Sequence, residues 1–189
     1  DAKYRYGFTG TLDGTQTHKW VLEGLFGPSY KIVNTKELQD AGYLATLNIN
    51  VLLLKHEPQK FEVYEDEVQY LIGHEKRNKF IRNLARDLKG NTLILYSRVA
   101  AHGQVLYDLL NTDERQVFFV HGGVDVEERE QVRRITEKET NAIIIASFGT
   151  FSTGINIKNL HNVIFASPSK SRIRTLQSIG RVLRKSDNK

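Results

Sequence analysis

Two arginines, a glycine and a glutamine are grouped within Gln177-Ser178-Ile179-Gly180-Arg181-Val182-Leu183-Arg184. Residues three apart share a helix face, so Arg181 and Arg184 can turn their guanidinium forks toward one anion, with Gln177 and Gly180 beside them. The chemistry this suits is phosphate recognition. A second group is rich in hydroxyls: Ser147-Phe148-Gly149-Thr150-Phe151-Ser152-Thr153-Gly154, followed by Ile155-Asn156-Ile157. Small, hydroxylated and glycine residues let a phosphate backbone approach closely and donate hydrogen bonds to it. Such contacts carry no base information, so the binding they support ignores base sequence and weakens with salt. Ser147, Thr150, Ser152 and Thr153 stand as equal candidates for the contacting hydroxyl. Two shorter loops have the same character, Ser97-Arg98 and His121-Gly122-Gly123.

The elements around these loops fix where they lie. Short, continuous apolar runs at 92–96, 116–120, 142–146 and 162–166 read as strands buried on both faces of a parallel sheet. Helices are expected between them at 99–110, 126–137 and from about residue 172 into the arginine group, with 147–154 irregular. Ser97 lies near the cap of the first, and Asp125 with Glu128 makes a capping-box start for the second. A helix at 74–89 sets Phe80, Ile81, Leu84, Ala85 and Leu88 on one stripe. Lys79, Arg82, Arg86 and Lys89 recur opposite, as on any solvated helix face. Ligands of an open parallel sheet collect at the carboxyl ends of its strands, and that edge is where the unusual loops fall.

Upstream, residues 4–9 alternate as a strand does. A helix capped by Thr15 then presents Trp20, Val21, Leu22 and Leu25 as a core face and ends at Gly27-Pro28. Thr35 is the expected cap of a short helix through Gln39, and residues 43–55 read as a strand. Pro58 and its polar neighbours mark a linker.

Composition narrows the function classes. Lys and Arg number 27 against 22 acids, a net charge of +5 that tilts the surface toward polyanions. No apolar run approaches the roughly 20 residues a membrane-spanning helix needs. The absence of cysteine excludes disulfides and thiolate metal sites, and the scattered histidines lack metal-ligand spacing. The abrupt ends, at Asp1 and just past Arg184, read as those of a piece excised from a longer protein.

In this order the segments resemble the motifs of superfamily 2 helicases and translocases. Phe8-Thr9-Gly10-Thr11 resembles motif III, residues 93–98 motif IV, His121-Gly122 through Arg129 the accessory motif that follows, and residues 143–157 motif V. Gln177 to Arg184 matches motif VI, Q-x-x-G-R-x-x-R. Within the superfamily the chain is similar to the phage UvsW-type DNA helicases, through 151–157 and 180–185, and the likeness spans essentially its whole length. It implies an α/β fold: a RecA-like parallel sheet flanked by helices (a second lobe, residues 65–189), preceded by a linker at 57–64 and the C-terminal part of a first lobe at 1–56.

The resemblance also implies an activity, that of an ATP-dependent DNA helicase or translocase of the cytoplasm. Its partner is single-stranded, duplex or branched DNA. Arg181, Arg184 and Gln177 take catalytic roles, and Gly154, Asn156 and Gly180 contact nucleotide. Ser97, Arg98, His121, Gly122, Ser147, Thr150, Ser152 and Thr153 contact nucleic acid, and Thr9, Gly10 and Thr11 couple the two. Asn156 departs from the pattern, standing where an acid is usual, and the 146–154 segment is one residue longer than the common form. Nothing in the chain matches G-x-x-x-x-G-K-S/T or an acidic magnesium-binding quartet, so ATP and Mg²⁺ are expected to be held mainly by a part outside it. An arginine finger works only on a phosphate already held by lysine and metal, and the chain alone is expected to be inactive. Two alternatives stand beside this reading: a restriction-type motor that moves on duplex without unwinding it, and a non-catalytic nucleic-acid-binding module.

Overall fold

The structure, a computed structural model, describes residues 2–10, 12, 14–111, 115–153 and 157–183, the side chains of Ser152 and Thr153 excepted. In chain order the elements are α1 Gln16–Phe26, α2 Thr35–Asp40, α3 Tyr64–Gly73, α4 Glu75–Asp87 and β1 Thr92–Tyr96. A π-helical turn Val99–Gly103 then runs into α5 Gln104–Leu110, and β2 Val117–Val120, α6 Val126–Lys138, β3 Ile143–Ser147, α7 Phe148–Thr153, β4 Asn162–Phe165 and α8 Arg172–Val182 follow.

All four strands are parallel, in the order β2-β3-β1-β4, with Thr92 opposite both Ile143 and Asn162. Because strand side chains alternate in direction, the unbroken apolar runs feed two cores at once. Leu93, Leu95, Ile144 and Ala146 face one side, against Val132 of α6 and Phe148 and Phe151 of α7. Ile94, Tyr96, Ile143 and Ile145 face the other, against Ile81 and Ala85 of α4 and Leu106 and Leu110 of α5. This is the RecA-like sheet with helices on both faces that the sequence implies.

Local chemistry sets the element ends. His74 caps α4, its Nδ1 accepting from Arg77 N–H at 3.2 Å. At the other end Arg115 donates to the carbonyls of Ala85 (2.6 Å), Leu88 (2.9 Å) and Gly90 (2.8 Å), tying the last turn of the helix to the residues that follow it. Gly90 follows with φ +87°, and a Cβ there would sit 2.6 Å from the His161 ring.

Several expectations change. Segments 4–9 and 43–55 form no strand, and Trp20 is 64% exposed rather than part of a core. A strand exists only through a neighbour that pairs its backbone; among the described residues the N–H groups of Tyr43 and Leu44 turn back to the Leu38 carbonyl, and Ala45 N–H donates to the Leu183 carbonyl at 2.9 Å. Asn34, not Thr35, caps α2, in a capping box with Glu37. Asp125 takes the N–H of Val126 at 2.6 Å. Residues 148–153 are helical, and α3 occupies ground just beyond the expected linker.

Candidate functional site

The loops after β1 and β3 leave adjacent strands toward opposite faces, β1 leading to α5 and β3 to α7. That divergence opens a crevice at the carboxyl edge, the place where open α/β sheets bind ligands. Ser97 and Arg98 stand at the end of β1, Ser147 to Thr153 at the end of β3, and residues 166–169 at the end of β4. His121 and Gly122 lie after β2, at the sheet's edge. The His121 Nδ1 accepts from Gly123 N–H at 3.1 Å, which folds the loop back on its strand.

Behind Ser97 runs a buried polar chain that sequence reading missed. Ser97 N–H donates to Ser167 Oγ at 3.1 Å, Ser167 Oγ lies 2.9 Å from His102 Nδ1, and His102 Nε2 lies 3.2 Å from Asn78 Oδ1. The Asn78 amide donates to the Ile72 carbonyl at 2.7 Å, so its oxygen is the acceptor toward His102. His102 therefore carries its proton on Nε2 and accepts from the Ser167 hydroxyl at Nδ1. The chain ties α3, α4, the π-helical turn and the end of β4 to the backbone of Ser97. The turn holds His102 inward because Gly103 lies against the Tyr96 ring, where a Cβ would come within 2.5 Å. Arg98, at the mouth, pairs with Glu65 of α3 at 2.6 Å, both side chains about half exposed.

Burial, and then the charge of nearby Arg77, lower the His102 pKa to about 4 from 6.5. The unfolded chain takes up this proton and the fold does not. Stability is therefore whole above about pH 6.5 and falls as pH drops toward about 4, by roughly 3 kcal/mol. In urea titrations at pH 7 and pH 5, His102→Gln should show a smaller acid loss than the parent; an unchanged slope would remove His102 as its source.

On the β3 side, Ser147 Oγ accepts from Thr150 N–H at 3.2 Å and lies 2.7 Å from Thr150 Oγ1, which caps α7. Thr150 is 5% exposed, so its hydroxyl is engaged inside the fold, whereas Ser147 is half-buried. Ser152 and Thr153 lie in the last turn of α7. α8 packs beside α7, capped by Ser171, whose Oγ accepts from Arg174 N–H at 3.3 Å. Arg181 is half-buried with its guanidinium carbon 5.7 Å from the Phe151 ring centre, and Gln177 and Gly180 are exposed on the same helix. A Cβ at Gly180 would meet nothing within 4 Å. Thr9 and Gly10 are exposed in the N-terminal segment. Thr11, Gly154, Asn156 and Arg184 lie outside the described residues.

This donor set fits the anionic end of a nucleotide: a guanidinium, an amide and an open glycine surface on one helix. Among the described residues no group of three or more His, Cys, Asp or Glu is placed to hold a metal ion, and no helix is long and apolar enough to cross a membrane.

Comparison with known proteins gives this arrangement a family. Residues 75–186 match the helicase conserved C-terminal domain. The chain is 36% identical over 195 residues to the ATP-dependent DNA helicase uvsW of Enterobacteria phage T4, covering 98% of this chain and 38% of that protein. A relative from Acanthamoeba polyphaga mimivirus carries an RNA-helicase name and is 34% identical over 116 residues, 58% of this chain and 20% of its own length. The crystal structure of T4 UvsW superposes with a TM-score of 0.57 at 40% identity, over 67% of this chain and 26% of that one. The chain thus spans well under half the length of the relatives it matches. With the fold, the motif order and a family match over more than half its residues in agreement, the chain belongs to the helicase conserved C-terminal domain family of superfamily 2, in its UvsW-type branch.

Proposed function

We propose that this chain is the arginine-finger half of an ATP-dependent DNA helicase or translocase. Residues 1–56 are the end of a first motor lobe, 57–64 the linker and 65–189 the second lobe. ATP and Mg²⁺ are held mainly by the rest of the first lobe. Arg181 and Arg184 reach across the cleft to the terminal phosphate, Gln177 senses nucleotide or water, and Gly154, Asn156 and Gly180 line the pocket. DNA backbone runs along the carboxyl edge, on Ser97, Arg98, His121, Gly122, Ser147, Ser152 and Thr153, with Thr9, Gly10 and Thr11 relaying between sites. ATP binding closes the lobes and hydrolysis reopens them, stepping the protein along a strand.

The observation that carries this reading is the meeting of the N-terminal segment with the arginine helix, where Ala45 N–H donates to the Leu183 carbonyl at 2.9 Å. That bond supports the reading of residues 1–56 as first-lobe residues that meet motif VI. The apolar surface of the same segment supports the lobe assignment: Tyr6, Phe8, Trp20, Ile32, Val51 and Leu53 are all exposed, as suits residues that pack into a larger first lobe.

The test is ATP hydrolysis by the two-lobed protein with single-stranded, duplex or forked DNA, or RNA, added in turn. Stimulation by DNA with strand displacement is expected, and none by this chain alone. Stimulation by duplex without displacement would make it a duplex motor, and preference for RNA would move the substrate. Absence of turnover with every nucleic acid would leave a binding module, and robust turnover by the chain alone would overturn the division of labour.

A further inference from the structure

The Arg181 side chain has a floor. α7 carries Phe148 and Phe151 three residues apart, one above the other on a helix face, and α8 carries Arg174 and Arg181 seven apart, two turns along its own. The two helices bring these pairs together rung by rung. The Arg174 guanidinium carbon lies 6.0 Å from the centre of the Phe148 ring, and that of Arg181 lies 5.7 Å from the centre of Phe151. Both distances are within the reach at which a ring quadrupole attracts a cation.

The rings are fixed from below. Phe148 is 2% exposed and Phe151 fully buried among Leu93, Leu95, Ala146 and the other residues of that core, and Phe148 also stacks on Phe165 of β4 at 6.1 Å. α7 itself is anchored to the end of β3 through Ser147 and Thr150. A guanidinium resting on a ring is held through its face, while its N–H donors lie at its rim, where bidentate contact with a phosphate is made. The rings thus restrict where the arginine goes.

We propose that Phe151 is a positioning residue for Arg181, and that through it the helix bearing Ser152 and Thr153 sets the aim of the arginine. The proposal rests on the reading of Arg181 as a finger on ATP. It assigns α7 two duties: Ser152 and Thr153 meet the nucleic-acid backbone, and the Phe151 ring, buried in the core against the sheet, carries any shift of α7 to the arginine. DNA stimulation of ATP turnover then has a path along one helix, from the turn that holds Ser152 and Thr153, through Phe151 of the same helix, to Arg181.

The test is made on the two-lobed protein, with ATP turnover measured with and without saturating DNA. Phe151→Leu and Phe151→Met keep an apolar side chain in the core and remove the ring face. Each is expected to lower the DNA-stimulated kcat about ten-fold with KM for ATP changed less than about two-fold, because alignment and not ground-state binding is lost. Combined with Arg181→Ala, neither should lower turnover further. Thermal unfolding identifies whichever variant is folded at the assay temperature, and the two replacements fill the site differently enough to provide one. A folded variant with parental kcat, or a double variant whose losses multiply, would overturn the proposal while leaving the finger intact. Parental turnover by Arg181→Ala alone would instead remove the finger reading on which it rests.

Discussion

Arg181→Ala in the two-lobed protein should lower ATP turnover by about 10³-fold or more and leave DNA affinity within a few-fold. The magnitude follows from the proposed role: an arginine finger contributes about 10³ to 10⁵ in rate in other nucleotide hydrolases, equivalent to roughly 4 to 7 kcal/mol of transition-state stabilisation. The selectivity follows from position. Arg181 is half-buried against Phe151, on the helix that meets the N-terminal segment at Leu183, whereas Ser97 and Arg98 stand at the end of β1. Arg181→Lys keeps the charge but loses the planar fork, so it should recover only part of the rate. Arg184→Ala should match Arg181→Ala, and the pair should fall little below either alone, since groups that act as a unit do not add. Turnover under saturating DNA, with fluorescence anisotropy at fixed salt, separates the outcomes. An equal loss of DNA affinity would make Arg181 part of the track, and undiminished turnover would remove it from the chemistry.

Why part of this was legible in the sequence, and part not, comes down to how far each residue's role reaches along the chain. The four strands were legible because burial on both faces demands uninterrupted apolar runs, and Leu93-Ile94-Leu95 and Ile143-Ile144-Ile145 serve two cores at once. The helix α8 was legible because a helix face is written at a spacing of three and four. His102 was not. Its partners Asn78 and Ser167 are 24 and 65 residues away, and no local pattern distinguishes a histidine buried in a hydrogen-bonded chain from one on the surface. Arg115 reads as one more surface cation, yet it closes the end of α4. The 147–153 segment read as irregular because its glycine and hydroxyls have weak helix propensity, and packing of Phe148 and Phe151 overrides that preference. The N-terminal strands failed for the converse reason. Their alternation is present in 4–9 and 43–55, but alternation describes a face, and a strand also needs a neighbour.

Asn91→Ala should cost the fold roughly 3 to 5 kcal/mol, a large share of the 5 to 15 kcal/mol typical of a domain. Asn91 is fully buried just before β1, at the sheet edge opposite the crevice. Its Nδ2 donates to the carbonyls of Thr136 (2.9 Å), Glu139 (2.7 Å) and Asn159 (2.8 Å), and its Oδ1 accepts from Ala142 N–H at 2.8 Å. One amide thereby joins the end of α6, the approach to β3 and the approach to β4. Truncation leaves a buried N–H and buried carbonyls without that partner, and each such group costs about 1 to 3 kcal/mol. Asn91→Asp makes the argument sharper. It preserves shape and the acceptor toward Ala142, but sets a carboxylate against three carbonyl oxygens, so it should destabilise at least as much as alanine does. A packing role alone predicts the reverse, with aspartate nearly harmless. Urea unfolding followed by circular dichroism decides between them through the midpoint at constant m-value, and an aspartate variant within about 1 kcal/mol of the parent would show that the amide donors are dispensable. Because Asn91 precedes β1, at the end of the sheet away from the loops after β1 and β3, whatever fraction of either variant stays folded should retain the parental KM for ATP in the two-lobed protein.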